Sequence, residues 1–148
     1  MERQQQFVGT EDVLTERIIA VFYQVYNELG NGFIESVYGR AMTIALTQAG
    51  MDVAAEVFIP VSFRGELIGT FRADLVVEGK VVLELKVADQ IIKPYEAQLT
   101  HYLRASTFEV GMLLSFGESP KFRRIEFLNA RKRQFQGSAL IPPLSVLS

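Results

Sequence analysis

Between positions 11 and 48 apolar residues recur every three or four places; from position 55 they recur every two. Leu14, Ile18, Val21, Phe22, Val25 and Leu29 form one stripe and predict a helix over Glu11 to Leu29. Gly30-Asn31-Gly32 ends it, glycine supplying the left-handed cap. A second helix is expected over Ile34 to Gln48, with Val37, Ala41, Ile44 and Ala45 inward and Gly50 closing it. Strands follow over Ala55 to Phe63, Leu67 to Val77 and Lys80 to Val87, the first two joined by an Arg64-Gly65 turn. Pro94 to Leu103 reads as a short helix, Glu109 to Phe116 as a buried strand, and Arg123 to Leu128 as an edge strand. The order predicts an α/β sandwich, a mixed central sheet flanked by helices. The proline-broken tail from Ile141 to Ser148 predicts no element, though it could dock onto a surface.

Three charges interrupt the apolar rows of the second and third strands. Asp74 stands among Ala73, Leu75 and Val77, and Glu84 and Lys86 alternate with Leu83, Leu85 and Val87. Side chains alternate across a strand, so Glu84 and Lys86 share a face. A two-residue hairpin loop would put Asp74 opposite Leu83 and on the other face. An odd loop, such as a type I turn followed by a left-handed Gly79, restores the parity. Asp74 and Glu84 then share one face, while Ala73, Leu75, Val77, Val81, Leu83 and Leu85 share the other. Burial of that apolar row demands the same parity, because a one-residue slip would turn it to water. Buried charges need partners or a metal. Two carboxylates and an ammonium suit a small hard cation with an activated water beside it.

Composition narrows the chemistry. At 148 residues the chain is expected to form one domain, with a core over about 11–128 and a tail over about 129–148. With no cysteine, disulfides, zinc thiolates and cysteine nucleophiles are excluded, and the single histidine, His101, excludes a histidine-rich centre. No apolar run predicts a signal peptide or a membrane span, which makes a cytoplasmic location the default. A net charge of −2 lacks the basic excess of proteins that coat nucleic acid. Basic residues do gather late, at Lys121, Arg123, Arg124, Arg131, Lys132 and Arg133, where a solvated edge strand and tail is the simpler reading.

Asp74 followed after ten residues by Glu84-Leu-Lys86, in a hairpin between helices, resembles the PD-(D/E)XK nuclease-like superfamily. Gly32-Phe-Ile-Glu35-Ser-Val-Tyr38 is similar to the Gly-x-x-Glu-x-x-Tyr signature of a small bacterial family within it. Gln98-Leu-Thr-His-Tyr102 resembles the Gln-x-x-x-Tyr helix motif of RecB-like nucleases. The resemblance spans roughly residues 14–128 and implies a restriction-endonuclease-like fold. It implies Asp74, Glu84 and Glu35 as ligands to Mg²⁺ or Mn²⁺, and Lys86 as the group orienting the attacking water. Gln98 and Tyr102 would steady the site or the nucleic-acid backbone, with Tyr38 beside Glu35 in a supporting place. Ala73 stands where the superfamily's motif carries proline.

The resemblance therefore implies a metal-dependent nuclease whose partner is DNA or RNA, with homo-oligomerisation left open. Two other classes fit the residues: a non-catalytic nucleic-acid binder using the same cleft, and an assembly module that keeps the fold. An intact acid, acid and lysine set favours catalysis, whereas the acidic balance and small size favour assembly.

Overall fold

The computed structural model describes residues 9–132. Helix α1, Asp12–Leu29, buries Ile18, Val21, Phe22 and Val25, as its stripe predicts. The Asp12 carboxylate accepts the Gly9 N–H at 2.8 Å and places negative charge in the first turn, where the helix dipole favours it. Helix α2, Glu35–Gln48, is rotated from the expected face. Tyr38, Met42 and Leu46 are buried, Val37 and Ile44 are exposed, and Ala41 and Ala45 pack only in part. Tyr38 explains the rotation. Its ring stacks on Phe116 with centroids 4.1 Å apart, and its hydroxyl donates to the Gly30 carbonyl and accepts the Phe33 N–H. A large aromatic that can bury its ring and satisfy its hydroxyl outweighs the smaller Val37 and Ile44.

The strands are β1, Val53–Phe63, β2, Glu66–Val77, β3, Val81–Lys86, β4, Val110–Phe116, and β5, Pro120–Glu126. They form one sheet in that order, antiparallel throughout except for the β3–β4 pair, which is parallel. Helix α3, Lys93–Arg104, makes the crossover that the parallel pair needs. It packs on β4 at Gly111, where an added Cβ would meet the Leu99 side chain at 3.0 Å. Strand β5 begins earlier than its sequence suggested, with Pro120 as its first residue on the sheet edge, where a missing N–H costs no ladder bond.

The β2–β3 register pairs Leu75 with Leu83, Val76 with Val82 and Val77 with Val81, the even parity that the apolar pattern requires. The turn that achieves it differs from the expected one. Glu78 and Gly79 both have positive φ, 56° and 63°, as in a type I′ turn closed by the Lys80 N–H on the Val77 carbonyl. Lys80 is the extra residue that makes the loop odd. At the other hairpin Arg64 and Gly65 also take positive φ and connect Phe63 directly to Glu66.

The β1–β2 hairpin departs from simple alternation. Leu75 and Val77 pack with α1 and α2, but Ala73 and Phe71 pack on the opposite side among Leu99, Leu103 and Phe108. On β1, Val53 joins the α1/α2 core, while Val57, Ile59 and Val61 join the α3 side. Ala73 therefore does not continue the row of Leu75 and Val77. The change of face falls between the pairs Ala55–Leu75 and Val57–Ala73, at Glu56 and Asp74. Glu56 has φ 55°, a left-handed residue inside a strand, and that twist turns the strand over. Two cores result, one on each side of the sheet.

Candidate active site

Asp74 sits at this change of face, and its surroundings follow from it. The β2–β3 ladder stops at Leu75–Leu83, and the Leu85 N–H donates instead to the Asp74 carboxylate at 2.7 Å. A side chain has taken over one rung of the sheet. Asp74 lines a cavity of about 620 Å³ under α2, together with Glu35, Arg40, Glu56, Arg72 and Leu85. Glu35 reaches it from the first turn of α2. Tyr38 is wholly buried and does not line the cavity. Its hydroxyl instead fastens the loop from Gly30 to Phe33, and so fixes the helix end that presents Glu35.

Glu84 and Lys86 alternate on β3 with Leu83 and Leu85, which belong to the α1/α2 core, so both turn towards α3 and neither lines the cavity under α2. The single face expected for Asp74 and Glu84 is therefore not formed, because Asp74 sits at the change of face and turns its carboxylate to the Leu85 N–H and the cavity. Lys86 places its ammonium 4.7 Å from the centroid of the Tyr95 ring in the first turn of α3. Gln98 donates to the Tyr102 hydroxyl at 3.0 Å, and the Tyr102 ring lies flat on Phe71, centroids 3.6 Å apart. Tyr95, Gln98 and Tyr102 are spaced three and four apart and share one face of α3. Tyr95 was not among the sequence candidates, although its place three residues before Gln98 was the available signal. His101 is exposed.

Electrostatics ties the two sides together. Glu84 is pushed up to about 8 from an ordinary 4.5, first by burial and next by the nearby Asp74 carboxylate. Lys86 and a hydrogen bond from the Asp74 backbone oppose the rise, and Glu35 adds slightly to it. Glu35 is also raised, by its own desolvation and then by Asp74, with Lys86 opposing. Three acids and a lysine thus act on one another across the opened ladder. One oxygen of Glu84, Oε2, is buried with no hydrogen-bond partner among the described residues.

A buried carboxyl oxygen without a donor is costly, and a proton on Glu84 or a bound cation relieves it. Among the described residues no three acidic or histidine side chains converge tightly enough to enclose a metal. Mg²⁺ does not require it, since it keeps several waters and takes one or two protein carboxylates. The donor chemistry of Asp74 and Glu84 fits such an ion.

Three members of the late basic cluster are already engaged. Arg123 pairs with Glu96 at 2.8 Å, and Arg124 with Asp12 and Glu126, each at 3.4 Å. Lys132, expected to be solvated, is buried and donates to the carbonyls of Ser106 and Phe108. Burial lowers it to about 8, with Glu109 opposing. Arg133 and the tail from Ile141 lie outside the described residues.

A mixed five-strand sheet with flanking helices, opened where its central hairpin carries the acids, is a restriction-endonuclease-like α/β fold. The family model of the PD-(D/E)XK nuclease superfamily matches residues 12–125, and the chain belongs to that superfamily, whose members typically use divalent metals. Among solved structures the chain is similar to SSO0001, with a TM-score of 0.51 and 18% identity over 63% of this chain. It spans about half the length of that structure, 50%, and the likeness is one of fold. Comparison with curated proteins finds no match. No helix among the described residues is long and apolar enough to cross a membrane.

Proposed function

We propose that this chain is a metal-dependent phosphodiesterase acting on DNA or RNA, of the Gly-x-x-Glu-x-x-Tyr type that Gly32, Glu35 and Tyr38 resemble. The observation that carries the reading is the orphaned Glu84 oxygen beside Asp74, with Lys86 close enough to oppose the charge of both Glu84 and Glu35. Asp74 and Glu84 would hold Mg²⁺ or Mn²⁺, with Glu35 approaching from α2. The ion, when bound, makes a coordinated water acidic enough to supply hydroxide near neutral pH. Lys86 would orient the attacking water and offset negative charge developing on the phosphoryl oxygens. Tyr95 limits where the ammonium can go, because its ring face attracts the cation. Gln98 and Tyr102, locked to each other and to Phe71, form a rigid wall on the same side.

The test is cleavage of single- and double-stranded DNA and RNA with Mg²⁺ or Mn²⁺, in the parent, Lys86→Ala and Glu84→Gln. Chelation should abolish cleavage, and Lys86→Ala should lower it by about 100-fold or more at unchanged metal affinity. Equal cleavage by all three proteins would assign the activity to a contaminant and sink the reading. A second reading, an assembly module, draws on the apolar residues exposed along the β1–β2 hairpin: Phe58, Phe63, Leu67 and Ile68. Metal binding without cleavage of any substrate would favour it.

A further inference from the structure

The cavity beneath α2 holds more charge than metal binding needs. Glu35, Asp74 and Glu56 line it, and unpaired carboxylates would repel a phosphodiester, itself an anion. Arg72 and Arg40 line the same cavity. Arg72 lies two residues before Asp74 on β2, and Arg40 lies on α2, five residues after Glu35. A guanidinium can grip a phosphate with two parallel N–H donors, which a lysine cannot do. Arg72 is held only loosely. Its partner is Glu56 at 3.6 Å, beyond hydrogen-bond range, and both side chains are largely in water, 49% and 69% exposed. Such a pair is easily exchanged.

Glu56 is the more telling member. Its φ of 55° turns the sheet over opposite Asp74, a backbone role that glycine performs with less strain than any L residue. A glutamate stands there, and it lines the cavity. The carboxylate it places there is the one beside Arg72. From this geometry we infer that Arg72, assisted by Arg40, is the phosphate-positioning group of the site, and that Glu56 is its resting counter-ion, displaced when a substrate phosphodiester arrives. This rests on the phosphodiesterase reading. It assigns the cavity side of the opened ladder to the nucleic-acid backbone next to the cleaved bond, leaving Lys86 and the α3 wall on the other side.

Binding and cleavage separate the two claims. Short fluorescein-labelled single-stranded DNA and RNA of one sequence are titrated by anisotropy in EDTA, which silences cleavage. Arg72→Gln should weaken binding roughly tenfold and reduce the salt slope by about one. Arg72→Lys should recover only part of the loss. Glu56→Gln should tighten binding about threefold by freeing Arg72, and the gain should vanish when Arg72→Gln is also present. A merely structural Arg72 would not show that dependence. Parent-like binding by Arg72→Gln, or a Glu56→Gln gain that survives without Arg72, overturns the assignment. If this occurs while the parent still cleaves, the catalytic reading stands and the phosphate site falls. If binding depends on Arg72 but no metal-dependent cleavage appears, the phosphate site stands and catalysis falls. A parent that neither binds nor cleaves overturns both.

Discussion

Glu84 is where a single residue can be tested apart from any substrate. Its carboxyl titrates near 8 in the folded chain against 4.5 as an ordinary side chain, and burial is the main cause. Between those values the folded state keeps a proton that the unfolded state releases. Stability of the metal-free protein therefore falls as pH rises from about 4.5 to 8, and is lowest above that. One retained proton makes the decline about 1.4 kcal/mol for each tenfold drop in proton concentration across that range. Glu84→Gln, a neutral isostere, should flatten this decline and make the metal-free protein more stable at pH 8.5 by a few kcal/mol. Urea midpoints measured from pH 4.5 to 9 check this. A parallel decline in parent and variant would show that Glu84 is not the group responsible. At this scale the sequence was informative, since Asp74, Glu84 and Lys86 stood in apolar rows and could be named from that alone, while Glu35 came from the motif resemblance. The orphaned oxygen and the role of Tyr95 could not be named, because both depend on which groups of other elements come to lie beside β3.

Among the elements, the connection after β3 controls Lys86. Gly117, just past β4, lies against the backbone of Ala88, two residues beyond Lys86, and an added Cβ would meet the Ala88 carbonyl oxygen at 2.3 Å. The Ser115 hydroxyl donates to that same carbonyl, and the Asp89 carboxylate accepts the Glu118 N–H at 2.8 Å. Gly117→Ala should therefore destabilise the fold by roughly 1–3 kcal/mol, read as a lower denaturant midpoint at constant slope. It should also lower any cleavage activity, by displacing the segment that carries Lys86. Helix and strand order was legible from periodicity, and the β2–β3 parity from the need to bury one row. The facing of α2 was not, because Tyr38 won its place through a hydroxyl bonded to Gly30 and a ring stacked on Phe116, a partner far away in sequence. The turn-over at Glu56 and Asp74 was hidden for another reason. Val53, Val57, Ile59, Phe71, Ala73, Leu75 and Val77 are all odd-numbered, so the pattern reads as one face, and only a left-handed backbone at Glu56 divides it.

For the whole molecule, metal should act as a stabilising ligand. Free Mg²⁺ or Mn²⁺ at ten times its dissociation constant adds about 1.4 kcal/mol, a rise of roughly 3–6 °C in Tm for a domain of this size. Asp74→Asn and Glu84→Gln should abolish the rise, as thermal unfolding with and without metal would reveal. An equal rise in all three would locate the ion elsewhere. The turn-over in the hairpin bears on how such a chain can change through descent. The β2–β3 register beside the acids is fixed below it, by the rows that run through Leu75 and Leu83 into the α1/α2 core. The outer half of the hairpin, from Val57 to Ala73, keeps its own alternation and already absorbs a register shift at Val61–Ser62. Residues gained or lost near Arg64-Gly65 would leave Asp74 and Glu84 where they are, whereas one added between Asp74 and Val77 would rotate the carboxylate out of place. The fold is thus free to lengthen or shorten the tip of its outer hairpin, beyond Arg72, while keeping Asp74 and Glu84 in place.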